Sequence, residues 1–226
     1  MFESLYRAIE LILSLDPVLI DTVARSLFCS GVGTILACLW SLPISMFVAS
    51  RDFVGKNLVK TVFAAFIGMP TVALGLILYL ILSNRGPLGF LQLLYTPLGL
   101  TVGQAVLVTP MLCSFSISSI ESVDTEIRDL ARTLGASGAQ ASVAVVRESL
   151  SGVMLAIISA FNRAIGELGV AQMVGGNIRG YTSVMTTMIS QETARGEIDL
   201  SIALTIVLLF IVFCITAVTT GFRRRS

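Results

Sequence analysis

The stretch EIRDLARTLGAS, Glu126–Ser137, decides how this chain is read: it is a charged, glycine-punctuated island between two long apolar runs. Ile127, Leu130, Ala131 and Leu134 follow at i, i+3, i+4 and i+7, which gathers apolar side chains on one helical face. Asp124 stands where an N-cap belongs. Gly135 stands where the helix would stop, because glycine enters the left-handed conformation without a Cβ clash. Ser137 then opens a second helix toward the next apolar run. A helix of about three turns is marginal alone, so this one calls for a surface to pack against.

Outward from it the chain is mostly apolar. Of 226 residues, 55% are hydrophobic and only 13% charged, with a mean hydropathy of +0.90; a soluble domain carries about a quarter charged residues. The charge-free runs Ser26–Ser50, Thr61–Asn84, Gly86–Ile120 and Leu200–Phe222 each exceed the about 20 residues that cross a bilayer. Gly86–Ile120 is longer than one crossing needs. A further run, Ser149 to about Val174, is interrupted only by Arg163 and Glu167. The expectation is an all-α integral membrane protein of five transmembrane helices, with residues 1–226 forming a single transmembrane domain. Residues 1–15 read as an interfacial amphipathic helix through Leu5, Ile9, Ile12 and Leu13. They lack the basic start and cleavage site of a signal peptide. Asp16-Pro17 reads as cap and first turn of the first span.

Basic residues set the orientation. With the N-terminus outside, Arg51, Lys56, Lys60, Arg128, Arg132, Arg147, Arg223, Arg224 and Arg225 fall inside. Only Arg7, Arg85, Arg179 and Arg195 fall outside, and the opposite orientation would violate the positive-inside tendency. The C-terminus and the loop at about 121–148 then face the cytoplasm, and no fused cytoplasmic domain is expected after Arg225.

Several chemistries are excluded. The chain has no histidine and no CxxC, and Cys29, Cys38, Cys113 and Cys214 all lie in apolar runs, so neither a Cys/His metal site nor imidazole catalysis is expected. No G-x-x-x-x-G-K-[ST] run occurs, and VGKN around Lys56 lacks both the leading glycine and the hydroxyl. This chain therefore supplies no nucleotide site, and neither a cofactor nor a nucleic-acid partner is expected. A membrane hydrolase would be left with a Ser–Lys pair, yet Lys56 and Lys60, the only lysines, sit at one membrane edge. No inverted repeat of the secondary-transporter kind is visible.

The island resembles the cytoplasmic signature of bacterial ABC-importer permeases of the type I fold: E-A-A, three residues, glycine, nine residues, I-x-L-P. Here Asp129-Leu130-Ala131, Arg132-Thr133-Leu134 and Gly135 keep the register, and Val145-Val146-Arg147-Glu148 follows nine residues later. The departures are Asp129, Leu130 and the Arg147-Glu148 that replaces Leu-Pro. Ala160–Leu204, with its R-A-x-G-E-x-G core, and RGPLGFLQLLYTPLG, Arg85–Gly99, are similar to tungstate-transporter permeases; molybdate and sulfate permeases share the core. The resemblance implies the transmembrane subunit of an ATP-driven oxyanion importer in a bacterial or archaeal cytoplasmic membrane. Two copies of the chain, a cytoplasmic ATPase dimer and an extracytoplasmic oxyanion-binding protein would complete it. It also implies that Glu126, Ile127, Asp129, Leu130, Ala131, Arg132, Thr133, Leu134, Gly135 and Ala136 form the helix that docks on the ATPase. The alternatives are a molybdate or sulfate permease of the same fold, or a passive anion channel.

Two further groups are candidates for mechanism. Arg163 and Glu167 lie one helical turn apart in an apolar span, where charges must face a partner or a wet path; they either pin helix packing or gate the anion. Thr182, Ser183, Thr186 and Thr187 offer hydroxyls that could line an anion pathway or bond back to backbone carbonyls.

Overall fold

A computed structural model describes residues 2–123, 130, 133–135, 137, 140, 145 and 147–223. Among the described residues every regular element is helical. In chain order these are α1 (Phe2–Leu13), α2 (Pro17–Ser50), α3 (Lys56–Ile67), α4 (Thr71–Leu82), α5 (Pro97–Ser122), α6 (Leu150–Ile165), α7 (Met185–Arg195) and α8 (Ile198–Arg223), with single turns at Gly89–Leu91 and Ala171–Gly175.

The spine is α2 against α5, the most extensive helix pair. Asp16 opens α2 as the sequence suggests, its carboxylate accepting from Val18 N at 2.9 Å and Leu19 N at 3.0 Å, with Pro17 in the first turn. The helix begins well before the charge-free run at Ser26 because Asp21 and Arg25 pair across one turn and neutralise each other. Its buried face is a stripe of small residues, Ser26, Ser30, Gly33, Ala37, Ser41 and Ser45. Between apolar helices, close approach of small residues supplies the packing that burial alone cannot. At Gly33 an added Cβ would lie 3.0 Å from the Thr101 carbonyl oxygen and 3.3 Å from Gln104 Cβ. The buried hydroxyls of Ser26 and Ser45 donate to carbonyls one turn back, at 2.7 Å each. On α6, Ala156, Ala160 and Ala164 continue the same close packing against Ala37, Ala105 and Val108.

Among the described residues three helices, α2, α5 and Ile198–Ala217 of α8, are long and apolar enough to cross a membrane, or four spans if the bent α3–α4 pair counts as one. Three of the five apolar runs are not single continuous helices. Thr61–Asn84 is not one helix: α3 and α4 meet at a bend of 101° around Gly68-Met69-Pro70. Pro70 has no N–H to continue the ladder and drives the residue before it out of helical geometry. In Gly86–Ile120 only the part from Pro97 is spanning helix, because Thr96 caps it, accepting from Gly99 N at 3.0 Å. Residues 83–96 instead fold into a loop with left-handed backbone at Gln92 and Tyr95. The run from Ser149 breaks at Gly166, leaving α6 at 16 residues. The N-terminal helix packs on α8 through Ala8, with Arg7 3.7 Å from Asp199.

If α2–α5 contact is what orders the bundle, Gly33→Val should loosen it by about 1–3 kcal/mol, the usual cost of overpacking. Thermal unfolding of the purified protein in detergent should then show a lowered midpoint, while Val32→Leu on the opposite, partly exposed side should leave it unchanged.

Candidate functional site at two helix breaks

The two breaks lie against each other. A Cβ placed on Gly169 would come within 2.5 Å of Thr71 Oγ1 and 2.8 Å of Val72 N, so the start of α4 touches the backbone just after the α6 break. Gly75 continues the contact: its added Cβ would meet Met173 at 3.0 Å and the Gly169 carbonyl at 3.1 Å. Two chain segments approach this closely only where both lack side chains or turn them away.

Arg163 and Glu167 are brought together, but not on one helix. Gly166 ends α6, and Glu167 sits in the break itself. One carboxylate oxygen accepts from Arg163 Nη1 at 2.6 Å, the other from Val170 N at 3.0 Å, and the Glu167 carbonyl accepts from Thr186 Oγ1 at 2.6 Å. Glu167 thus pairs with α6, caps the following turn and receives a hydroxyl from α7. Its side chain is 2% exposed, whereas that of Arg163 is 35% exposed.

The four candidate hydroxyls converge around the same junction. Thr182 Oγ1 donates to the Gly175 carbonyl at 2.6 Å and accepts from Ile178 N at 2.9 Å. Ser183 Oγ donates to Asn177 Oδ1 at 2.7 Å, and Thr187 Oγ1 to the Val184 carbonyl at 3.0 Å. A hydroxyl has one proton to donate; with Thr186 on Glu167, each of the four is engaged by protein in this conformation. They hold the turn through Gly176 and Asn177, both with left-handed backbone, and the start of α7. From α2, Arg25 donates to the carbonyls of Ser183 at 2.9 Å and Gly180 at 3.0 Å, and Ser26 Oγ accepts from Met185 N at 2.7 Å.

The surface around the junction is not suited to lipid. Gly68 and Pro70 at one break, Gly166 and Leu168 at the other, and Gln172 beyond it are exposed on the chain. Irregular backbone within a bilayer is tolerated only where protein buries it or water reaches it. This face therefore borders an aqueous path or is covered by protein.

In the loop, Leu134 N bonds to the Leu130 carbonyl at 3.1 Å, Gly135 has φ +87°, and Ser137 and Gln140 cap each other, at 2.8 and 3.4 Å. Leu130, Thr133, Leu134 and Gly135 are exposed, and among the described residues nothing lies within 4 Å of a Cβ added to Gly135. Glu126, Ile127, Asp129, Ala131, Arg132 and Ala136 lie outside the described residues.

Sequence reasoning missed the α3–α4 bend and Gln104, a fully buried residue of α5 whose amide donates to the Ala164 carbonyl at 3.2 Å, just before the α6 break. Glycine and proline within three residues at Gly68–Pro70 were the available signal for the bend. Gln104 left no signal beyond being the one amide between Pro97 and Ser122.

Apolar helices of spanning length, small-residue helix packing and two apposed breaks whose exposed backbone cannot face lipid define a polytopic membrane protein with a built-in discontinuity. The chain belongs to the binding-protein-dependent transport system inner membrane component family, which it matches over residues 41–226. It is 38% identical to the tungstate uptake system permease protein of Peptoclostridium acidaminophilum, over 96% of this chain and 95% of that one. It is equally 38% identical to a probable anion ABC transporter permease protein of Haloferax volcanii, over 92% of each. Identity falls to 29% with the molybdenum transport system permease protein of Haemophilus influenzae, over 70% of this chain and 78% of that one. Among solved structures, inward-facing conformations of the MetNI methionine ABC transporter share the fold, with TM-scores of 0.70 and 0.75 at 15% and 16% identity. The first match covers 92% of this chain and 95% of that one, the second 94% and 97%.

Removing the Glu167 side chain should be worse than neutralising it. Glu167→Gln keeps an acceptor for Val170 N, whereas Glu167→Ala loses the cap, worth about 1 kcal/mol, and leaves Arg163 unpaired. Folded yield in membranes and melting in detergent should rank wild type, then Glu167→Gln, then Glu167→Ala. Arg163→Gln combined with Glu167→Gln should fold better than Arg163→Gln alone, because the single variant strands a buried carboxylate. A ranking in which the two Glu167 variants behave alike would remove the capping role.

Proposed function

We propose that the chain is the transmembrane subunit of an ATP-driven importer for a tetrahedral oxyanion, tungstate in particular, with the two apposed helix breaks bordering the path. The observation that carries the substrate class is whole-length similarity to a tungstate permease at 38% identity, against 29% over a shorter stretch for a molybdenum permease. In this reading the chain is one transmembrane domain. α2, the bent α3–α4 pair, α5, α6 with its continuation to Gly175, and α8 give five crossings, N-terminus outside and C-terminus in the cytoplasm. Two copies enclose the path, since a single copy leaves the break-bearing face open. A binding protein delivers the anion outside, and a separate ATPase dimer docks inside.

Arg163 and Glu167 act as the gate in this proposal. Glu167 holds the guanidinium by one oxygen while the rest of the arginine remains accessible, so a dianion at the break competes for it. Thr182, Ser183, Thr186 and Thr187 border the pathway by keeping the break and the start of α7 in register. The segment Glu126–Ala136 docks on the ATPase; the apolar side chains Leu130 and Leu134 are 61% and 80% exposed and await a partner. An exposed apolar helix face ending in a left-handed glycine fits the helix-in-groove mode of recognition.

Purified permease, ATPase and binding protein in proteoliposomes should accumulate tungstate only with ATP, and sulfate much less. Gly135→Val should leave membrane insertion intact yet lose bound ATPase and tungstate uptake, because a β-branched residue is poorly tolerated at φ +87°. Gly135→Ala should be milder, at about 1 kcal/mol for the left-handed backbone. ATP-independent tungstate flux through the permease alone would convert the reading to a channel. For the topology, single cysteines at Ser4 and Ser137 in a cysteine-free chain should react with an impermeant thiol reagent on intact cells at Ser4 only.

A further inference from the structure

A partly open groove between α3 and α5 is used by none of the above. Lys60, Thr61 and Ala64 of α3 and Ser114, Ile117, Ser118 and Glu121 of α5 line a space of about 280 Å³, more apolar than polar, into which two charged groups and three hydroxyls are set. Its charges are arranged unequally. Lys56 Nζ faces three acceptors, Glu121 Oε1 at 3.1 Å, the Ala49 carbonyl at 3.3 Å and Asp52 Oδ1 at 3.4 Å, and so engages all three protons of its ammonium. Lys60 Nζ has Glu121 Oε2 at 2.5 Å as its one partner among the described residues and keeps two protons free. The hydroxyls of Ser114 and Ser118 donate to no described residue, while Thr61 donates to the Asn57 carbonyl at 2.8 Å. Both oxygens of Glu121 are taken by lysines. The cavity therefore offers free donors and an excess of positive charge, Asp52 being fully exposed to screening solvent.

The cavity lies on the same helical faces as the breaks. On α3, Thr61, Ala64 and Gly68 are spaced i, i+3, i+7, and the seven residues from Thr61 to the bend span about 10 Å. On α5, Gly103, Leu107, Met111, Ser114, Ser118 and Glu121 follow at steps of three or four. Gly103 begins that face against Val170, where an added Cβ would sit at 2.8 Å. These faces run from the junction toward Lys60.

We propose that this cavity is an exit-side site for a tetrahedral oxyanion, with Lys60, Ser114 and Ser118 as donors and Glu121 as a built-in competitor. The proposal rests on the oxyanion-importer reading above. A water fills about 30 Å³ of liquid, so the space admits such an anion with part of its hydration shell. Glu121 keeps the lysines partnered when the site is empty and displaces the anion afterwards. Transit demands that combination, binding firm enough to enter and weak enough to leave. The phosphate of an anionic lipid offers the same chemistry, so the test separates the two sources.

The test uses the assembled transporter, with its ATPase, in nanodiscs of zwitterionic lipid. Thr61→Cys in a cysteine-free background places a thiol at the cavity without removing a free donor. Millimolar tungstate, sulfate or phosphate should slow its modification by a charged thiol reagent, relative to chloride at matched ionic strength. Lys60→Gln should weaken that protection about tenfold, the size of one charge-assisted hydrogen bond, and Ser114→Ala with Ser118→Ala should weaken it as well. Glu121→Gln should strengthen it. Added anionic lipid should leave the labelling rate unchanged. Equal labelling in chloride and in every tetrahedral anion overturns the site, and so does protection by anionic lipid alone. Parallel uptake assays keep the two readings apart. Wild-type tungstate uptake without protection removes only this site, whereas protection by sulfate with no tungstate uptake upholds the site and removes the substrate.

Discussion

Hydrocarbon offers no hydrogen-bond partner to an open backbone, and an unsatisfied group there costs several kcal/mol. The break after α6 has to meet that constraint from within, and Glu167 is where it does so. Its carboxylate takes the N–H of Val170 and the guanidinium of Arg163, and its carbonyl takes the hydroxyl of Thr186. Three segments that share no regular ladder are tied by one residue. In the gate proposed above, an anion near Arg163 competes with the bond that also orients the cap, so that a structural knot responds to a passing ion without a dedicated binding pocket.

The junction is positioned by α2. Arg25 and Ser26, adjacent in sequence, hold the loop before α7 and its first turn, and the small-residue stripe one turn further along brings α5 into close contact. α5 in turn carries Gln104 to the end of α6 and Gly103 to Val170. A displacement of α5 therefore moves both sides of the α6 break together. Because α5 ends at Ser122, where the charged loop begins, the same helix joins the loop proposed to meet the ATPase to the junction proposed to meet the anion. The two halves of the α3–α4 pair meet at glycine and proline, so they can follow such a motion without stretching a continuous hydrogen-bond ladder.

Hydropathy makes the membrane class legible, because several charge-free runs of spanning length give a chain more apolar surface than a soluble fold of this size can cover. It locates α8 to within two residues at its start, and the Asp16 cap and the Gly135 stop are readable from local chemistry. Hydropathy also fails in identifiable ways. It cannot see that Asp21 and Arg25 neutralise each other, so it starts α2 too late. It cannot distinguish a straight span from two half-helices of equal apolarity, so it loses the α3–α4 bend, although Gly68 and Pro70 announce it. At the site, Arg163 and Glu167 stand out as a pair because charges are rare in apolar runs. That Glu167 lies in a break, and that Lys60 meets Glu121 across 61 residues, depends on tertiary contacts that no periodicity encodes.

The distribution of charge along the proposed path bears on affinity. Capture from dilute solution belongs to a separate binding protein in this reading, so no station in the membrane needs to bind tightly. Each of the two cations placed along the break-bearing faces has an internal carboxylate: Arg163 has Glu167, and Lys60 has Glu121. A dianion meeting either one must displace a partner that is already in place, and the partner returns when the anion leaves. An unpaired arginine at the same depth would be costly when empty and would hold a dianion too long when filled. Pairing each pathway cation with a nearby acid removes both difficulties by the same means.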